Sequence, residues 1–334
     1  MPIQPPHGAQ LVACVFIGSV LLVGCAGSKD SASQSFDMSE YRKLMESQKG
    51  AQAAPDDLEP SVLEMTPEEH ERAGDTDTQR HNFSLAGFHY GKALNADPMR
   101  DSARLKLGQI FLQQGMLEPA LTQFQDLRTR EPNSAPAHQG IGHVSLLQGK
   151  LREAEAALTE AIARDPSSWL SHNLLGLAYD QEERHAKAIA SYKTALALRP
   201  REAGVLNNLG LAYALSGDHQ AAIQAYEQAT ATGSAPPKLY NNLGVAYAHR
   251  QRYADALDAF KKATDEPRAY NNLGVTLLGM GQANLAIACF EKALESNPQY
   301  YEKASDNLRQ ARQALGTSAN GASASGPIKT VACP

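Results

Sequence analysis

Residues 205–213 read VLNNLGLAY, residues 239–247 read LYNNLGVAY, and residues 269–277 read AYNNLGVTL. The second copy follows the first after 34 residues and the third after 30. A self-similar stretch at a period of 20–50 residues marks a chain built from stacked structural units. Outward from this block, Leu-Gly or Ile-Gly pairs continue at Leu107-Gly108, Ile141-Gly142 and Leu175-Gly176, each 34 residues apart and in register with Gly210. Twelve residues after each glycine stands an alanine: Ala120, Ala154, Ala188, Ala222, Ala256 and Ala286. Four further on come Phe124, Leu158, Tyr192, Tyr226, Phe260 and Phe290, and Pro132, Pro166, Pro200 and Pro298 close four of the units.

Each position has a physical purpose. Two antiparallel helices cross closely only where small residues sit, which the glycine and alanine supply. The ring fills the space between neighbours, and proline ends the second helix so that the next can begin. No single unit buries its apolar face alone, so the units must stack. Another second helix precedes these, with Ala86, Tyr90, Ala93 and Pro98 in register. Its first helix reads as degenerate. Thr66-Pro67-Glu68-Glu69 makes a good helix start, but Asp77 falls where an aromatic belongs. At the other end, Tyr301 to Leu315 has helical character without the glycine and reads as a capping helix. The four residues missing between Ala263 and Tyr270 are expected to shorten a connection and change the local twist.

The pattern resembles the tetratricopeptide-repeat family over about Pro67 to Leu315. The resemblance implies an all-α fold: an α-solenoid of about seven repeats, the first degenerate, with a C-terminal cap. Four segments follow: a lipoprotein signal peptide at 1–24, a flexible tether at 25–64, the solenoid at 65–315, and a disordered tail at 316–334.

The signal assignment rests on Leu11 to Gly24, LVACVFIGSVLLVG, an apolar run followed at once by Cys25. The run is shorter than the roughly 20 residues that span a bilayer, which argues against an uncleaved anchor. A short core ending in small residues is the mark of a secretory signal. Leu22-Val23-Gly24-Cys25 resembles a bacterial lipobox, which makes Cys25 the lipidated residue; Leu11-Val12-Ala13-Cys14 fits too, but lacks an apolar core before it. No Lys or Arg precedes the run, a departure that a misassigned start codon explains. Ala26, rather than Asp, after the lipidated cysteine implies the outer membrane, with the protein facing the periplasm. The segment from Ala26 to about Glu64 is rich in Ser, Gln, Asp and Pro, as a tether is.

In this family the first helices line the concave face. Asn207-Asn208, Asn241-Asn242 and Asn271-Asn272 precede three successive glycines. Asn208, Asn242 and Asn272 match the asparagine ladder with which some tetratricopeptide proteins grip a peptide backbone, an amide offering donor and acceptor together. Joining neighbouring helices is the other role open to them. Lys106, Gly140 and Leu174 stand at this place in earlier units, so a ladder covers the C-terminal half. Leu177, Leu211, Val245 and Val275 follow the glycines by one and give the face an apolar row, part groove and part core. Such a surface suits an amphipathic helix or an extended segment.

The chain of 334 residues carries a net charge of −5 and no basic stripe, which argues against nucleic acid as partner. No nucleophile motif, phosphate loop or His-Glu-x-x-His spacing is present, so no catalytic residue, metal site or cofactor is expected and the protein is not read as an enzyme. His138 and His172 share a repeat position and read as a repeated surface feature. Trp169, the single tryptophan, reads as a packing residue or a surface anchor. Cys289 reads as a core residue and Cys333 as an exposed thiol in the tail; pairing between them is the alternative.

A lipobox ahead of such repeats resembles the tight-adherence (Flp-type) pilus assembly lipoprotein and the pilotins of type IV pilus systems. The implied partner is a secretin subunit or another pilus component. Two other roles compatible with the resemblance are an adaptor docking cell-wall hydrolases or their protease, and a scaffold of polysaccharide export.

Overall fold

The computed structural model describes residues 65–233, 235–296, 302–319 and 332–333. These belong to one compact unit spanning 60–334; residues 1–64, Cys25 among them, lie outside the described residues. Fifteen helices and no strand occur among the described residues. They form seven antiparallel pairs: α1 (Pro67–Gln79) with α2 (Phe83–Ala96), α3 (Asp101–Gln113) with α4 (Leu117–Arg130), α5 (Ala135–Leu147) with α6 (Leu151–Arg164), and α7 (Trp169–Gln181) with α8 (His185–Leu198). Then come α9 (Ala203–Leu215) with α10 (His219–Thr230), α11 (Pro237–His249) with α12 (Tyr253–Ala263), α13 (Glu266–Gly279) with α14 (Ala283–Ser296), and the single α15 (Glu302–Ala319). The fold is an all-α tetratricopeptide-type solenoid with a terminal capping helix.

The periodic residues build the pairs as their chemistry requires. The seven alanines from Ala86 to Ala286 are fully buried where the helices cross. A Cβ added at Gly176 would sit 2.5 Å from the Tyr192 ring, and one at Gly244 would sit 2.8 Å from Phe260. Only glycine lets these rings lie flat on the opposing helix. The first unit is more regular than its sequence suggests. Gly74, 34 residues before Gly108, meets the Tyr90 ring in the same way. Thr66 and Glu69 exchange the reciprocal bonds of a capping box, as the sequence predicts.

Asp77, the apparent misfit, is buried and faces His89 across 3.7 Å. His89 in turn meets His70, with the two Nδ1 atoms 3.0 Å apart. Burial, with neighbouring positive charge from His89 and Lys92, holds His70 below its usual range. Burial also lowers His89, against the pull of Asp77.

The missing four residues shorten both a helix and a connection. Helix α12 has 11 residues where α6 and α8 have 14, and only Thr264 and Asp265 separate it from α13. Asp265 makes the tight junction workable by accepting from the Arg268 N–H at 3.0 Å. At the C-terminus, α15 runs to Ala319, past the boundary expected at Leu315. Cys333 is not an exposed free thiol: it forms a disulfide with Cys289, whose side chain is fully buried. Cys289 is thus both core residue and cross-link, because Cys333 packs against the same terminal core as Phe290 and Leu308.

Candidate peptide-binding groove

First helices touch first helices along the array: α3 with α5, α5 with α7, and so on to α13 with α15. Such contacts across a whole unit join the first helices, not the second helices, so the first helices form the tighter, inner row. That row carries the asparagines. Asn208 Nδ2 donates to Asn173 Oδ1 at 3.1 Å, Asn242 to Asn207 at 3.2 Å, and Asn272 to Asn241 at 3.2 Å. Asn307 of the cap extends the series by donating to Asn271 at 2.8 Å. The residue two before each glycine therefore bonds the residue three before the glycine of the preceding unit. In the first units the same rule is met with charge, Lys106 reaching Glu71 at 2.8 Å. Gly140 and Leu174 cannot follow it: Gly140 instead makes room for the Phe124 ring, and Leu174 is core.

The asparagines thus form an amide zipper between neighbouring helices. Each bond uses one N–H of the donor and one lone pair of the acceptor, leaving every amide with further donor and acceptor capacity. Asn271 is buried, and the others in the C-terminal half are partly exposed. The sequence missed Asn173 and Asn307 because each stands alone, outside an Asn-Asn pair. Their signal was the place relative to the repeat, three before Gly176 and 35 after Asn272.

One turn beyond the zipper lies the apolar row. Val275 is 47% exposed and Leu211 37%, with Leu215 further along α9 at 56%. Leu177 and Val245 are half-buried and pack on the cores beneath them. From α7 to α13 the residues three and two before each glycine, and those one and five after it, include no Asp, Glu, Lys or Arg. Asp180 on α7 is turned inward, bonded to the Tyr192 hydroxyl at 2.9 Å and to His185 at 3.0 Å. The inner face of these four helices is an uncharged track of amides and aliphatic side chains.

Other singled-out residues prove structural. His138 and His172 each bond the carbonyl of a unit-closing proline, Pro132 at 3.0 Å and Pro166 at 3.1 Å. The repeated feature is a clip on the connection, and His138 is buried rather than on the surface. Trp169 is half-buried against the core of α8 and α9, with the Arg199 guanidinium 5.0 Å over its ring. No group of three His, Cys, Asp or Glu among the described residues could hold a metal ion. No described helix is long and apolar enough to cross a membrane.

The family model described as the cilia and flagella-associated protein 70 C-terminal domain matches residues 29–271, and the tetratricopeptide-repeat model matches 267–300. The chain belongs to the tetratricopeptide-repeat family of that domain. Its matched span begins inside the segment read as a tether. No curated protein matches the chain. Among solved structures, a tetratricopeptide repeat protein from Parabacteroides merdae ATCC 43184 is 16% identical, with a TM-score of 0.50 over 74% of this chain and 98% of that one. The APC/C hetero-tetramer Cut9-Hcn1 is 22% identical, with a TM-score of 0.53 over 72% of this chain and 47% of that one. Pseudomonas aeruginosa pilF is 18% identical, with a TM-score of 0.50 over 64% of this chain and 96% of that one. These likenesses concern the fold. A tetratricopeptide solenoid is a scaffold for protein–protein interaction.

Proposed function

We propose that this tetratricopeptide protein is an outer-membrane lipoprotein, anchored through acyl chains on Cys25, that holds a segment of a secretin subunit or another pilus component during assembly. The observation that carries the reading is the uncharged track along the inner face of α7 to α13. A surface with exposed Leu211, Leu215 and Val275 and no fixed charge suits an apolar segment that must be kept from aggregating. The Cys289–Cys333 disulfide supports an envelope location, because such bonds persist in oxidising compartments such as the periplasm. The lipobox resemblance supports the anchor, and more than one acyl chain gives stable attachment. A tether at 25–64 raises the groove's effective concentration near the membrane.

The test is affinity capture of the tagged, lipidated protein from gently solubilised envelopes, beside a Leu211→Lys, Val275→Lys variant. That variant leaves the amide zipper intact, unlike substitution of the asparagines. A secretin or pilus component enriched with the parent and lost with the variant is the expected result. Enrichment of cell-wall hydrolases or glycan-export proteins instead would replace this reading with an adaptor or export scaffold. A Cys25→Ser variant is expected to lose fatty-acid labelling and leave the membrane fraction; continued labelling would refute the anchor.

A further inference from the structure

We infer that the groove takes an uncharged segment in the polyproline II conformation, with one apolar residue in every three. The inference rests on the groove reading above and deepens it by fixing the occupant's conformation and register. Direct amide bonds between successive first helices hold the rungs at the spacing of packed helices, about 8–10 Å. A ligand running along the track meets one rung and one apolar side chain per unit.

Three backbone conformations can be compared with that spacing. An α-helix has its own N–H and C=O groups paired, so the remaining capacity of Asn208, Asn242 and Asn272 would find no backbone partner. A β-strand presents equivalent groups every two residues, about 6.6 Å, and drifts by about 3 Å at each rung. Polyproline II repeats every three residues at 3.1 Å each, about 9.3 Å, and makes no internal hydrogen bonds. It alone brings an unpaired backbone group to every rung without slipping. The same period sets every third side chain against the row that contains Leu211 and Val275. Charged side chains facing the track would lose water with no opposite charge to meet, so the occupant is neutral on that side.

The probe is an acetylated, amidated peptide of five Leu-Pro-Gln triplets, compared by calorimetry on the full chain with a peptide of the same composition whose leucines recur at every second place. The triplet peptide is expected to bind at least about tenfold more tightly, and the Leu211→Lys, Val275→Lys variant to lose that binding. Equal affinity, or preference for the rearranged peptide, would overturn the period of three. If neither peptide binds while capture of a cellular partner still depends on Leu211 and Val275, the polyproline II occupant is wrong and the groove stands. If neither binds and capture is indifferent to both residues, the groove itself falls.

Discussion

At the scale of single residues, the glycines divide into two kinds that a sequence does not label. Gly176 lies against the Tyr192 ring, whereas Gly204 on α9 has nothing within 4 Å of an added Cβ. Gly176→Ala is therefore expected to destabilise the protein by about 1–3 kcal/mol through overpacking. Gly204→Ala should stabilise it by about 0.5–1 kcal/mol, because a helical glycine loses more backbone freedom than alanine. Thermal unfolding of the two variants checks both signs. The buried His70–His89 pair makes the first unit sensitive to acid. Both groups are held below the usual 6.5 in the folded chain, mainly by burial. The unfolded chain then binds more protons as pH falls through that value, so stability present above about 6.5 is lost on further acidification. Amide exchange in α1 and α2 should accelerate between pH 7.5 and 5.5, and a His70→Phe, His89→Phe variant should show a weaker dependence. An unchanged profile in the variant would mean that other groups set the response.

The helix pair is the next scale, and its turn repeats as faithfully as its crossing. Seven residues after each glycine the backbone enters the left-handed region: at Gly115, Gly149, Gly217 and Gly281, but also at His81, Glu183 and Gln251. A side chain there costs about 1–2 kcal/mol. Exposed Glu183, at φ 59°, is expected to gain stability when replaced by glycine, by about 0.5–1 kcal/mol after the extra chain entropy is offset. A lower melting temperature for Glu183→Gly would show that the side chain has a compensating contact. In the last unit the cross-link dominates. Cys289 and Cys333 are 44 residues apart, and closing a loop of that size stabilises by about 2–4 kcal/mol. Cys333→Ser, or reductant on the parent, should raise exchange in α14 and α15, while reductant has no further effect on the variant.

Across the whole molecule, each unit touches mainly its neighbours, so stability is expected to be graded along the array. The cap places Ala304, Leu308 and Ala311 on the last unit. A chain ending after Ser296 should lose protection in α13 and α14 while α5 to α8 remain as protected as before. Uniform loss from end to end would reveal long-range cooperativity that nearest-neighbour stacking does not supply. The full-length protein, with its zipper running from Asn173 to Asn307, is the form in which the groove should be tested.

The period of 34, the small residues at the crossings and the rings against them determined the solenoid, the seven pairs and the cap, because each of those contacts lies within one unit and is written at fixed spacing. Even the first unit was legible through Gly74, although its buried Asp77 disguised it. The tertiary structure decided what happens between units. Whether Asn208 faces a ligand or Asn173 depends on how two neighbouring first helices align, and no spacing within either unit sets that alignment. The same holds for His70 meeting His89, for His138 closing on Pro132, and for Cys333 returning to Cys289 through a segment whose composition gives no hint of a destination. Local periodicity fixes the units; the register between packed surfaces, set by the shape of every side chain in the contact, selects their partners.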